Sequence, residues 1–285
     1  MQFLKGLGFF LFLGLFSFQV FSKDLYIRPP QSEHDISHGF FVSLIEQALR
    51  NNAGYRVKVL PVKELTQDRG FLLLKQKRLD IFWAGINPVR ANNFRVVNVP
   101  LTMGMLGHRV PVIKRGDKAL FDDVTELTLK QLRACQGSQW PDSDILEHNG
   151  YRVIRAPKFK MMYDMLEAGR CHYFPRGLNE VYGEVASFEA TGSDNDLIVY
   201  EGIVLKYAFP MLFFTNRENE VLAKQLERGL RELVNSGEMM ALLKAHPVTR
   251  DAFPLSRFSN SRVYQLENPL LTLPLPEEEE FWIHF

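Results

Sequence analysis

The sequence predicts an α/β protein of two similar βαβαβ lobes joined by a hinge that the chain crosses twice. Three observations support this prediction. One order of strands and helices occurs twice, the tetrapeptide Gly-Tyr-Arg-Val at 54–57 returns at 150–153 in the same place in that order, and two long extended stretches separate the copies. Alternating strands and helices favour parallel sheets, so each copy is expected to form one lobe.

Residues 1–22 have the layout of a secretory signal peptide. Lys5 precedes an uncharged apolar run from 6 to 21. This run is shorter than the ~20 apolar residues of a membrane-spanning helix. We expect cleavage near Ser22 and export to the periplasm, with an uncleaved anchor as the alternative. No cysteine precedes Cys135, so the sequence offers no lipid attachment site near its start.

The composition argues against nucleic acid as a partner. Lys5 is one of 34 basic residues, so the chain beyond residue 22 carries as many basic as acidic residues, which number 33. Nucleic-acid binding normally requires a basic excess. With 46% hydrophobic residues and 23 Phe, the chain can bury two cores, and we expect a monomer.

The first copy of the pattern assigns residues 23–107 to the first part of lobe one. Strands are predicted at 24–27, 55–60 and 79–83, and helices at 39–52 and 70–77. The first helix is indicated by apolar residues at helical spacing. The third strand ends just before Gly85, seven residues after Arg78.

The second copy assigns residues 108–208 to lobe two. Strands are predicted at 132–135, 151–155 and 171–174, and helices at 137–149 and 158–168. Here Gly177 stands seven residues after Arg170, as Gly85 follows Arg78. The repeated spacing indicates a structural duplication.

Extended segments at 96–115 and 197–215 are predicted to cross between the lobes, and two crossings make a hinge. Residues 209–245 then return to lobe one with one long helix at 218–244. Residues 246–285 form a proline-rich C-terminal tail. We expect it to wrap a lobe with its aromatic end docked, and a disordered tail is the alternative.

Four segments resemble type II periplasmic solute-binding proteins of family 3, which serve polar amino-acid uptake. They are similar to the family's Gly-Phe helix opening, its Gly-Lys/Arg-x-Asp strand entry, its Thr-Pro-Glu-Arg segment and the Gly-Ser of its second lobe. In this chain the segments are 38–44, 77–81, 87–90 and 137–138. The resemblance spans about residues 24–245 and implies the periplasmic binding protein-like II fold.

The resemblance also implies a function. It implies an exported protein that captures a small anionic or amino-acid-like, carboxylate-bearing molecule for an ABC-type membrane permease. Two departures bear on the ligand: Arg90 matches the family's arginine only with a two-residue gap, and Arg176 stands where amino-acid binders commonly place an aspartate. Glu180 is the nearby residue that retains the negative charge.

The carboxyl ends of the predicted strands supply the candidate ligand site, because ligands of open α/β sheets bind there. Arg90 is our first choice for the ligand's anionic group, since a guanidinium offers a fork of donors. Arg176 lies at a strand end of lobe two and can serve the same role, or pair with Glu180 one helical turn later.

Further candidates flank these arginines. Ser138 and Gln139 follow Gly137 at a predicted helix start, which suits an anion or a plain helix cap. Trp83 and Trp140 come from opposite lobes and can sandwich the ligand, although core packing is the common fate of a residue such as Trp83. The Asn87 amide can bind the ligand or shape the turn before Pro88.

Cys135 and Cys171 fall on neighbouring strands of lobe two. An exported protein permits a disulfide there, and two buried thiols are the reading that we slightly favour. No metal-binding or nucleotide-binding motif occurs, so no cofactor is expected.

Two other functions remain open. A dehydratase-like enzyme on the same scaffold requires a general acid near the anion site, for which Glu180 is the candidate. A sensory or partner-docking module would use the tail 246–285 as its contact surface. We predict binding without catalysis.

Overall fold

A computed structural model describes residues 22–30, 35–52, 54–62, 65–190 and 196–284. The signal peptide predicted for 1–22 lies outside the described residues, apart from Ser22. Within the described part of the chain, no helix combines the length and the apolar character needed to cross a membrane.

Lobe one begins with the predicted βαβαβ order, followed by one short helix and one strand. Its elements are β1 (Lys23–Ile27), α1 (His38–Ala48), β2 (Tyr55–Val59), α2 (Gln67–Lys75), β3 (Ile81–Gly85), α3 (Pro88–Asn93) and β4 (Phe94–Val97). All five residues of β3 are buried, as expected for a strand covered on both faces of a mostly parallel sheet.

Lobe two repeats this order after an antiparallel strand and two helices. Its elements are β5 (His108–Lys114), α4 (Lys118–Asp123), α5 (Glu126–Gln131), β6 (Arg133–Gly137), α6 (Pro141–His148), β7 (Arg152–Ala156), α7 (Phe159–Glu167), β8 (Phe174–Gly177), α8 (Val181–Glu189), β9 (Leu197–Val199) and β10 (Ile203–Lys206). The helix predicted from residue 137 begins at Pro141 instead, because the chain stays extended as part of β6 through Gly137.

The chain then returns to lobe one and ends in the tail. The remaining elements are β11 (Met211–Asn216), α9 (Glu220–Asn235), α10 (Glu238–Ala245) and β12 (Arg262–Gln265). The single helix predicted for 218–244 is therefore wrong: it is two helices, because Gly237 adopts a left-handed φ of 78° and ends the first one. Glycine tolerates this conformation without steric cost.

The two lobes share one strand arrangement. The sheet of lobe one runs β2-β1-β3-β11-β4, with β1 parallel to β2 and β3, and β11 antiparallel to both of its neighbours. In lobe two, β7 and β6 are parallel, a parallel bridge between Ala134 and Tyr173 joins β6 to the chain before β8, and β8 pairs antiparallel with β5. The two-lobed α/β fold predicted from the internal repeat is thus confirmed.

The two crossings lie side by side at the hinge. The Tyr207 backbone N–H donates to the Gly107 carbonyl at 2.9 Å. A side chain at Gly107 would collide with the Tyr207 carbonyl. Glycine therefore permits the close contact between the outgoing and the returning segment.

The tail crosses the hinge and contacts both lobes. Strand β12 adds a parallel strand to β10, and the Asn98 side chain of lobe one donates to the Pro274 carbonyl at 2.9 Å. At the first crossing, the backbone N–H of Ile283 donates to the Met103 carbonyl at 2.8 Å, and Trp282 lies against Gly104. Among the tail's residues, Phe281 and Ile283 are almost fully buried.

Cys135 and Cys171 form a disulfide with a Cα–Cα distance of 5.6 Å, so the buried-thiol reading is wrong. The two residues face each other because β6 and the segment before β8 are direct neighbours, as the hydrogen bond from the Cys135 N–H to the Tyr173 carbonyl shows. Sequence order predicted that proximity, but the relative direction of the two side chains depends on the strand register.

Candidate functional site

The candidate site is the cleft between the lobes, at the carboxyl ends of β3 and β8. A cavity of about 40 Å³ lies there, with Gln67, Gly85 and Met211 on the lobe-one side and Arg109, Trp140, Asp142, Arg176, Glu180 and Phe209 among its other lining residues. Such a volume holds about three water molecules. This cavity alone is smaller than an amino acid. Hydrogen bonds from Asp68 and Arg90 to Gln139 join the lobes beside it, so the lobes are closed on each other in this structure.

A second cavity of about 90 Å³ lies beside the first and shares Gln67 and Trp140 with it. Thr66 and Gln67 line it from lobe one, and Ser138, Gln139 and Lys158 line it from lobe two. Gln139 bridges the lobes at this point, because its side-chain oxygen accepts from the Asp68 N–H at 3.4 Å. The predicted residues Ser138 and Gln139 thus lie at the cleft.

The backbone at Ser138 does not offer the free helix-start donor that the sequence indicated. The Ser138 N–H donates to the Ala156 carbonyl at 2.9 Å. Helix α6 begins three residues later with a proline, which has no N–H to donate. This stretch contributes to the cleft through its side chains and the Gln139 carbonyl.

Arg90 is buried at the cleft, and the described hydrogen-bond acceptors of its guanidinium are all neutral. Its side chain donates to the Gly85 carbonyl at 2.6 Å, to the Gln67 side-chain oxygen at 2.7 Å and, across the cleft, to the Gln139 carbonyl at 3.2 Å. The guanidinium also stacks on Phe71, 4.7 Å from the ring centroid. Burial lowers the pKa of Arg90 to about 10, and among the described residues no acid forms an ion pair with it.

Asn87 positions Arg90. Its side-chain oxygen accepts from the Arg90 backbone N–H at 2.8 Å and so caps helix α3, whose first residue is Pro88. A cap of this kind satisfies an amide at the helix start. Of the two roles considered for Asn87, the structure shows the turn-forming one.

Arg109 lies on β5, lines the small inter-lobe cavity and is 1% exposed. It pairs with Asp142 on α6 and, at 3.4 Å, with Glu180. Tyr207 joins this group, since its hydroxyl donates to Asp142 at 2.6 Å. Burial opposes the charge of Arg109, but Asp142 and Tyr207 raise its pKa above the ordinary value.

Arg176 is the penultimate residue of β8 and is 3% exposed. Its Nε and Nη2 each donate to one oxygen of Glu184 at 2.7 Å, and Nη2 lies 2.8 Å from Glu180. The pairing with Glu180 considered from the sequence is therefore present, together with a bidentate pair to Glu184. Burial raises the pKa of Glu184 to about 7, against the opposing effect of Arg176.

The two tryptophans occupy different surroundings. Trp140 lines both cavities, and Arg176 lies 4.9 Å from its ring centroid. Trp83 is 2% exposed and packs against Phe41 and His38 in the core of lobe one. It lines neither cleft cavity, so the closed structure does not bring the two rings together as a sandwich.

Sequence reasoning missed Arg109, Asp142, Glu184 and Tyr207. Arg109 and Tyr207 lie where the two crossings meet the lobes, and the hinge was assigned a connecting role only. The sequence does contain a signal for Arg109, which is a charged residue inside an apolar extended run. A charged residue in such a run normally has a buried partner of opposite charge.

Comparison with known proteins identifies the fold. No protein-family model matches the sequence, and no curated protein matches it. Among solved structures, an amino acid ABC transporter substrate-binding protein from Streptococcus pneumoniae bound to L-arginine gives a TM-score of 0.59 at 13% identity, covering 79% of this chain and 93% of that chain.

Two further structures agree. A mutant of ArgBP from T. maritima gives a TM-score of 0.55 at 19% identity, with 78% of this chain and 94% of that chain covered. A Salmonella typhimurium periplasmic binding protein of high arginine specificity gives 0.57 at 11% identity, with 78% and 98% covered. The chain therefore has the two-lobed fold of amino-acid ABC transporter substrate-binding proteins, as the sequence resemblance predicted.

Proposed function

We propose that this chain is an exported solute-binding protein that captures a small carboxylate-bearing, amino-acid-like molecule between its lobes. The observation that carries the proposal is Arg90, a buried cation held only by neutral acceptors. A buried charge without a direct ion-pair partner is costly. The nearby charges of Asp68 and Asp142 offset the burial of Arg90 only in part, since its pKa stays below the ordinary value. A ligand carboxylate would supply the direct partner.

The position of Arg90 couples this charge to closure. One of its donors already reaches the Gln139 carbonyl of lobe two. In an open protein the same donor is free to receive a ligand oxygen, and closure then buries the new ion pair. Ligand binding thus favours the closed state through its greater affinity for that state.

The acidic residues of the cleft suit the other end of an amino acid. Asp142 and Glu180 line the same small cavity as Gln67 and Gly85, which are partners of Arg90. A carboxylate near a cavity attracts an ammonium group. These carboxylates pair with Arg109 and Arg176, but together with Glu184 the three acids outnumber the two arginines by one. The arrangement therefore offers positive charge from lobe one and a net negative charge from lobe two to a zwitterion.

The solved structures support the same class of function. Two of the three proteins described above are named for arginine binding or specificity, and one is an ABC transporter component. We infer from this likeness that the chain works in the periplasm and delivers its ligand to an ABC-type membrane permease. We also propose that it does so as a monomer. Edman sequencing of secreted material tests the export, with Lys23 expected as the new N-terminus.

Calorimetric titration with L-amino acids and small organic acids tests the ligand proposal. For the ligand that binds, Arg90→Ala is expected to weaken affinity by about 10- to 150-fold, because one charge-assisted hydrogen bond contributes ~1.5–3 kcal/mol. Arg56→Ala is the matched control, since Arg56 is an exposed arginine on β2 of the same lobe. Equal affinity in the two variants would rule out the role of Arg90.

A further inference from the structure

Arg176 lies in a complete receptor for a guanidinium group. Three aromatic rings surround its guanidinium carbon, with centroids at 4.9 Å for Trp140, 4.9 Å for Phe174 and 5.4 Å for Phe159. These distances fall within the range of cation–π attraction, which extends to about 6 Å.

Two carboxylates complete the receptor. Glu184 accepts from Nε and Nη2 of Arg176 through both of its oxygens, and Glu180 lies beside Nη2. Tyr163 holds Glu184 in place, with its hydroxyl donating to Oε2 at 3.1 Å. A flat cation held edge-on by a bidentate carboxylate and on its faces by rings is recognised as a guanidinium, because an ammonium cannot make the fork.

The receptor opens on the cleft. Trp140, Arg176 and Glu180 all line the small inter-lobe cavity. The Arg176 guanidinium thus occupies a position that a bound molecule would otherwise reach from the cleft. Its side chain is tethered to the end of β8, so its local concentration in the receptor is far above that of any free molecule.

We infer that Arg176 is an internal ligand: the lobe-two side of the cleft is a guanidinium-binding site filled by the chain's own side chain. Because the site is filled, ligands with a guanidinium-bearing side chain are excluded. The cleft then accepts only molecules whose positive charge is a small group such as an α-ammonium. This restriction rests on the proposed binding function, whereas the guanidinium site itself does not.

Removing the side chain should leave an empty receptor that accepts a free guanidinium compound. In Arg176→Ala, two carboxylates lose a partner, and the melting temperature is expected to fall by roughly 10 °C. Millimolar ethylguanidinium should restore much of this loss in a saturable way. Ethylammonium should not, because it carries the charge without the fork.

Two comparisons make this rescue specific. The wild-type protein, whose receptor is filled, should show no saturable rise with ethylguanidinium. Arg176→Ala combined with Glu184→Gln should lose the rescue, because the bidentate acceptor is gone. An equal response to both cations, or an equal response in the wild type, would overturn the inference.

A refolding assay covers the case in which Arg176→Ala does not fold alone. The variant is diluted from urea with and without ethylguanidinium, and soluble yield is measured. Recovery only with ethylguanidinium supports the internal-ligand role, and no recovery with either cation contradicts it.

A binding experiment tests the restriction on ligands. Arginine is expected to bind Arg176→Ala at least about tenfold more tightly than it binds the wild type. Equal affinities would refute the exclusion. If Arg90→Ala leaves ligand binding unchanged while ethylguanidinium still rescues Arg176→Ala, the proposed carboxylate site fails and the guanidinium site stands.

Discussion

Reduction of the disulfide between Cys135 and Cys171 should destabilise lobe two by an amount that the length of the closed loop sets. The two cysteines are 36 residues apart. Closing a loop of that length removes entropy from the unfolded chain that corresponds to about 3.8 kcal/mol at 25 °C. The loop includes α6, β7 and α7, so it holds much of the lobe that carries Asp142 and Trp140.

Urea unfolding of the same protein with and without dithiothreitol measures this contribution. At an m value of about 3 kcal/mol per molar, the midpoint of the affected transition should fall by about 1.3 M on reduction. The control is the double variant Cys135→Ala/Cys171→Ala, whose midpoint should not respond to dithiothreitol. If the wild-type midpoint is also unaffected, the loop-entropy reasoning is refuted.

Three further predictions concern the hinge and the helices. Removing residues 270–285 takes away the buried side chains of Phe281 and Ile283, so the free energy of unfolding should fall by roughly 3–6 kcal/mol. Thermal melting measures the loss, and an unchanged melting temperature would show that these residues do not stabilise the fold. Gly237→Ala should lower the free energy of unfolding by about 1 kcal/mol because of the positive φ at this position, and Gly237→Asn should lower it by less. Denaturation midpoints measure both effects, and equal midpoints for the wild type and the two variants would contradict this. Burial lowers the pKa of His108 to about 4. The stability that depends on its neutral imidazole is therefore present above pH 6.5 and is lost, by up to about 3 kcal/mol, as the pH falls toward 4. Curves of unfolding free energy against pH should diverge over this range between the wild type and His108→Gln, and parallel curves would argue against a buried neutral imidazole.

The fold could be predicted because its evidence is periodic and repeated. The tetrapeptides at 54–57 and 150–153 mark the start of equivalent strands, β2 and β7, in the two lobes. Helix breaks were harder to predict, because the apolar stripe of α9 and α10 continues across Gly237. Only the backbone conformation of that glycine separates the two helices.

The site could be predicted in part. Position along the chain brought Arg90, Trp140, Arg176 and Glu180 to the cleft, since strand ends meet at one edge of a sheet. The partners were not predictable in the same way. Whether Arg176 binds a ligand or Glu184 depends on side-chain packing between β8 and α8, which no spacing rule determines.

The position of Trp282 against Gly104 has a practical consequence. The chain has three tryptophans: Trp83 in the lobe-one core, Trp140 in the cleft and Trp282 on the hinge. Two of the three fluorophores lie where the proposed closure would change their surroundings, while the third provides an internal reference. Trp140→Phe and Trp282→Phe would separate the optical signal of ligand contact from that of hinge rotation, so closure can be followed in stopped-flow experiments without an attached dye.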